Sequence, residues 1–156
     1  MKKIFLEAVK ILNEEFDIIP VLYGSYCLEL MMEEEFSADD VDLLIPEEFF
    51  SHRYSLINKF TLNGFEYIEN EVICFVKNDI EVELAKKDTW LNYCKTNSKD
   101  LVLVEEQGTK YYLLDLYSLS NLYQFLFSIR NRSSSKKAKD LMKIQKIQDK
   151  LENKND

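Results

Sequence analysis

The sequence predicts an α+β fold: a mixed β-sheet flanked by helices, with a helical C-terminal part. Three observations predict it. Helical and strand-like segments alternate only over the first part of the chain. Three short alternating runs, FEYIE, VICFVK and IEVELA, then follow one another with no helix between them. Residues 117–151 finally return to helical spacing. A strictly parallel, doubly wound sheet would need a helix after every strand, so this order excludes it.

Each element has a local reason. Residues 3–16 place Ile4, Ala8, Ile11 and Leu12 at helical spacing, with Glu7, Lys10 and Glu14 elsewhere, and Pro20 ends the segment. PVLYG is a short buried strand. Ser25 can cap a helix running to about Glu34 with Leu28, Met31 and Met32 on it. DVDLLI is the next strand. Pro46 and the two glutamates after it open one helix, PEEFFSHRYSLINKF, which Asn63-Gly64 closes. Asn70-Glu71 and Asn78-Asp79 divide the three alternating runs into a meander. LNYCK is ambiguous. LVLVEE and KYYLLD flank Gln107-Gly108-Thr109 as a hairpin, and helices over 117–130 and 134–151 are joined by NRSSS.

With 156 residues, 46% hydrophobic and 13% aromatic, the chain can bury one core. The expected organisation is one domain over residues 1–151 with a frayed tail at 152–156. The net charge of −8 excludes a broad, non-specific nucleic-acid surface and disfavours long duplex DNA. Cys27, Cys74 and Cys94 form no CxxC pair and read as small core hydrophobes in a reducing compartment. Glu7 and Lys10 interrupt the apolar start, and no run reaches membrane-spanning length, so a cytoplasmic location is expected. His52 stands alone, which excludes His-based metal spacing and reads as a surface residue.

Three features carry chemistry. Gly24-Ser25 ends a strand and opens a helix, where a glycine allows close approach and backbone N–H groups point outward at an anion. On a strand, Asp40 and Asp42 project from one face, and paired carboxylates there repel unless a cation sits between them. The rival reading leaves Asp39 and Asp40 in a loop. In IEVELA, Glu81 and Glu83 face away from Ile80, Val82 and Leu84. They are either solvated surface glutamates or the source of a third carboxylate. On the last helix, Lys137 and Asp140 fall on the stripe of Ile144, Ile147 and Leu151, where charges are costly unless paired or used. Either they pair with each other, or Lys137, with Arg130 or Arg132, meets an anion. Trp90, Tyr93, Tyr111 and Tyr112 read as core, with an acceptor pocket as the alternative.

Tyr23-Gly24-Ser25, the intervening helix, Asp40-Val41-Asp42 and a later acidic residue at Glu83 or Glu81 resemble the nucleotidyltransferase superfamily that includes DNA polymerase beta. The resemblance covers about residues 18–84 and the helices after them, and is nearest to small stand-alone bacterial members. It implies transfer of a nucleoside monophosphate from an NTP to an acceptor hydroxyl by two-metal catalysis. Asp40, Asp42 and Glu83, with Glu81 as the alternative third ligand, would hold Mg²⁺ or Mn²⁺, and Glu83 would also orient or deprotonate the nucleophile. Gly24, Ser25, Lys137 and Arg130 would hold the nucleotide. A small-molecule acceptor is preferred, with tRNA or protein as alternatives, and the oligomeric state is left open. A Glu where the family carries Asp, and a long Ser25–Asp40 interval, support the second reading: a non-catalytic nucleotide-binding or toxin–antitoxin-type partner.

Overall fold

A computed structural model describes residues 1–154. Helix α1 (Lys2–Phe16) buries Ile4, Phe5, Ala8, Val9 and Leu12 and stops at Asp17 in a left-handed conformation. Strand β1 (Val21–Tyr23) is buried throughout and runs without a loop into α2 (Gly24–Met32). Strand β2 (Asp40–Ile45) follows. The single helix expected after Pro46 is two, α3 (Glu48–Ser51) and α4 (Arg53–Leu62). The break is His52, whose φ of −123° and ψ of 45° leave the helical region. His52 is exposed, as expected.

The meander forms as read, with β3 (Glu66–Glu69), β4 (Ile73–Lys77) and β5 (Ile80–Lys86) paired antiparallel in succession. The ambiguous LNYCK segment resolves as the end of helix α5 (Lys87–Tyr93) and the turn after it. Strands β6 (Val102–Glu106) and β7 (Thr109–Leu113) make the expected hairpin, with Gln107 and Gly108 at φ of 50° and 75°. Two positive φ values match the twist of the flanking strands. Helix α6 (Leu116–Ser128) starts at Asp115, whose side chain accepts from the Ser118 N–H at 2.8 Å. Helix α7 (Ser134–Lys154) follows. Residues 152–154, expected in a frayed tail, are therefore helical; the rest of that tail lies outside the described residues.

The seven strands form one sheet in the order β3-β4-β5-β2-β1-β7-β6. It is mixed: β2 is parallel to β5 and β1 to β7, and the remaining pairs are antiparallel. Helices α1 and α4 pack together, and α2, α5, α6 and α7 form a second connected group. Phe60 stacks on Phe75 at 4.2 Å and Phe5 meets Tyr111 edge-on at 4.8 Å, inside one continuous core. Among the described residues no helix is long and apolar enough to cross a membrane.

Candidate active site

The site begins where β1 meets α2. Tyr23 lies opposite Asp42 in the antiparallel pair, so the next residue must pass directly over the Asp42 carboxylate. A β-carbon at position 24 would sit 2.5 Å from Asp42 Oδ2, and the φ of +77° there is one that L side chains rarely adopt. Only glycine meets both conditions. Helix α2 then opens with no side-chain cap, which leaves its first N–H groups free for an anion. The Ser25 hydroxyl accepts a hydrogen bond from Lys143 Nζ at 2.8 Å.

The strand reading of Asp40 and Asp42 holds: both lie on β2, partly buried, while Val41 and Leu43 between and beyond them are fully buried. The parallel β2–β5 register sets Asp40 beside Glu81 and Asp42 beside Glu83. Carboxylate oxygens of Asp40, Asp42 and Glu83 all lie within 4.8 Å of one another. Glu83 is thus the third member of this group, and Glu81, exposed, is its neighbour along the strand. Burial, then the charges of Asp40 and Glu83, holds the Asp42 carboxyl well above the usual carboxylate range. Glu83 is raised too, first by burial and then by Asp40, and shares a hydrogen bond with Asp42. Asp40 is raised by burial, Asp39 and Glu81. Three carboxyls that resist ionising together are what a shared cation relieves.

Facing them is a cleft of about 690 Å³ walled by Gly24, Ser25, Asp40, Asp42 and Glu83 on one side and α6 and α7 on the other. Lys136, Lys139, Lys143 and Lys146 line it. Lys143 is only 8% exposed, and its ammonium stands 4.8 Å over the Tyr123 ring. Burial pulls its pKa down, against the opposing pull of Asp140. Asp140, fully buried, takes a two-pronged bond from Arg132, with Nη2 donating to Oδ1 at 3.0 Å. Asp140 therefore pairs with Arg132 and not with Lys137. Lys137 lies outside the cleft lining, its ammonium 5.7 Å over the Phe127 ring, and Arg130 is exposed outside it as well.

Sequence reasoning missed Lys143. On a helical wheel Lys137 and Lys143 flank Asp140 by roughly 60° on opposite sides. The stripe was visible, but which of its shoulders turns toward β2 depends on how α7 docks on α6. Of the aromatics, Trp90 lines the cleft, Tyr111 is core, and Tyr93 stacks on Phe125 at 4.1 Å.

No family model matches the chain. It is 30% identical over 141 residues to the uncharacterized protein YnaI of Bacillus subtilis, covering 90% of each chain. Solved structures similar to it include an antigenic nucleotidyltransferase-like protein of Paracoccidioides brasiliensis, at a TM-score of 0.61 and 14% identity over 92% of this chain and 73% of that one. Two more are the lincosamide antibiotic adenylyltransferase LnuA with lincomycin bound, at 0.55 and 11% over 94% and 96%, and ANT(2″)-Ia in complex with adenylyl-2″-tobramycin, at 0.54 and 10% over 99% of both chains. The chain belongs to the family of YnaI and has the nucleotidyltransferase fold.

On that fold the residues present suit a divalent cation. The Asp40–Asp42–Glu83 donors are all carboxylate oxygens, the ligand type that hard cations take. Their raised pKa values come first from burial and then from mutual repulsion, and a bound cation would offset that cost of ionising. The cleft is polarised, with carboxylates at its floor and lysines on the α7 wall. That pattern fits an anion held between a cation site and a basic helix.

Proposed function

We propose that the protein is a nucleotidyltransferase that moves a nucleoside monophosphate from an NTP to a hydroxyl of a small-molecule acceptor. The observation that carries this reading is the convergence of Asp40, Asp42 and Glu83 directly beside the Gly24–Ser25 helix start. Asp40, Asp42 and Glu83 would hold two Mg²⁺ or Mn²⁺ ions. Bound there, the ions would supply charge neutralisation for the triphosphate and lower the proton affinity of the acceptor hydroxyl. The α2 N-terminus and Ser25 would take the β- and γ-phosphates, and Lys143, already donating to Ser25, would add its charge to the leaving pyrophosphate. The acceptor oxygen attacks the α-phosphorus, the bond from that phosphorus to pyrophosphate breaks, and the hydroxyl proton passes to Glu83. Glu83 is the base that this arrangement offers, because its carboxylate lies in the same group as Asp40 and Asp42. What remains is alignment and charge neutralisation.

A second cavity of about 630 Å³ offers room for the acceptor. It shares Val72, Ala85 and Trp90 with the cleft, so a molecule in it could present a hydroxyl to Glu83 past Ala85. That LnuA and ANT(2″)-Ia carry lincomycin and an adenylylated tobramycin on the same fold supports a small molecule over tRNA or protein. Three free, buried cysteines suit a cytoplasmic setting.

The test is pyrophosphate release. The protein with Mg²⁺ and each NTP is offered a broad panel of hydroxyl-bearing small molecules, and release with at least one is expected. Magnesium-dependent nucleotide binding with no release across the panel would instead support a non-catalytic nucleotide-binding protein.

A further inference from the structure

Glu83 belongs to two clusters. Across the antiparallel β4–β5 pair its partner is Cys74. The Cys74 sulfur and one carboxylate oxygen each from Glu81 and Glu83 all lie within 4.8 Å of one another. Cys74 is 2% exposed, and its residue pairing turns it to the face that carries Glu83. The Cys27 thiol donates to the Leu114 carbonyl at 3.7 Å, whereas Cys74 makes no hydrogen bond among the described residues. A buried thiol aimed at two carboxylates and otherwise unengaged is a mixed sulfur–oxygen donor set.

We propose that Cys74, Glu81 and Glu83 form a second cation site that takes Zn²⁺, and that filling it withdraws Glu83 from the Asp40–Asp42–Glu83 group. Thiolate sulfur selects Zn²⁺ over Mg²⁺, while the all-oxygen group beside it favours Mg²⁺. Three protein ligands and a water complete the tetrahedral shell that Zn²⁺ adopts. On binding, the Cys74 S–H bond breaks, a sulfur–zinc bond forms, and the proton leaves to solvent. Exposed Glu81 gives the ion its way in. The two sites compete because each needs Glu83. Zn²⁺ is therefore an inhibitor of Mg²⁺–nucleotide binding. That consequence rests on the proposed nucleotide site; the zinc site itself does not.

Co²⁺ is the probe that separates the two, because a thiolate–cobalt bond gives a charge-transfer band that carboxylates do not. Titration of the full chain with Co²⁺ should produce this band in the wild type and in Asp42→Asn, and lose it in Cys74→Ser. Glu81→Gln, on the surface, should weaken Co²⁺ binding roughly tenfold, about 1.4 kcal/mol, and guards against a folding defect in the cysteine variant. Zn²⁺ should inhibit Mg²⁺–NTP binding at least tenfold more strongly in the wild type than in Cys74→Ser. No band in the wild type, or a band that survives in Cys74→Ser and so belongs to Cys27 or Cys94, overturns the site. Equal zinc inhibition of both proteins overturns the competition. Failure of nucleotide binding altogether would leave the cobalt band standing, so the two readings fail separately.

Discussion

At Gly24 the cost of any side chain is written in the geometry: a β-carbon 2.5 Å from Asp42 Oδ2, on a backbone at φ +77°. Gly24→Ala should lose about 1–3 kcal/mol of stability in a denaturant titration. It should also abolish magnesium-dependent nucleotide binding, because either Asp42 or the start of α2 must shift. Lys143 and Lys137 make a paired test. Lys143→Met removes the ammonium bonded to Ser25 and should weaken nucleotide binding about tenfold or more, the worth of a charged hydrogen bond. Lys137→Met, whose ammonium rests on Phe127, should leave the affinity unchanged. Equal losses in both would show that α7 docks in another register.

At the scale of elements, local pattern and non-local pairing divide what the sequence discloses. The alternation in IEVELA shows that Glu81 and Glu83 share a face, and Asp40 and Asp42 read the same way. Which glutamate stands level with Asp42 is decided by the parallel β2–β5 register, between strands that are not adjacent in the chain. For the same reason the apolar stripe of α7 was legible while its docking angle was not. The break at His52 left no glycine or proline to mark it. Helix α7 is held to the body by Ile147, fully buried, and the Arg132–Asp140 pair ties it to the α6–α7 linker. Ile147→Ala should cost about 2–4 kcal/mol from the cavity it leaves. Arg132→Met should cost about 3–5 kcal/mol, because it strands the Asp140 carboxylate in the interior. Denaturant midpoints for both variants measure these losses.

Across the whole molecule, the acidic balance of −8 and the lysine-walled cleft are compatible because the four lysines that line the cleft all lie on α7. The carboxyls at the cleft floor give the cation-free protein an unusual pH dependence. Folding raises the pKa of Asp42 and Glu83 above their ordinary values of 3.8 and 4.5. The folded state thus holds protons that the unfolded chain has released. Stability should fall as pH rises from that ordinary range through the raised folded values, then level off. Saturating Mg²⁺ should remove most of this decline, because it stabilises the ionised carboxylates. Asp42→Asn should flatten it without metal. Thermal midpoints across the pH range, with and without Mg²⁺, read all three. One core joins every element, so residues 1–151 should unfold in a single cooperative transition.

The most direct measurement is calorimetric titration of the full chain with each NTP, with and without Mg²⁺, alongside Asp42→Asn. Magnesium-dependent binding of at least one NTP in the wild type, lost in a folded Asp42→Asn protein, is the expected result. Nucleotide binding that is indifferent to Mg²⁺, or unchanged in Asp42→Asn, would contradict the placement of the active site at Asp40, Asp42 and Glu83.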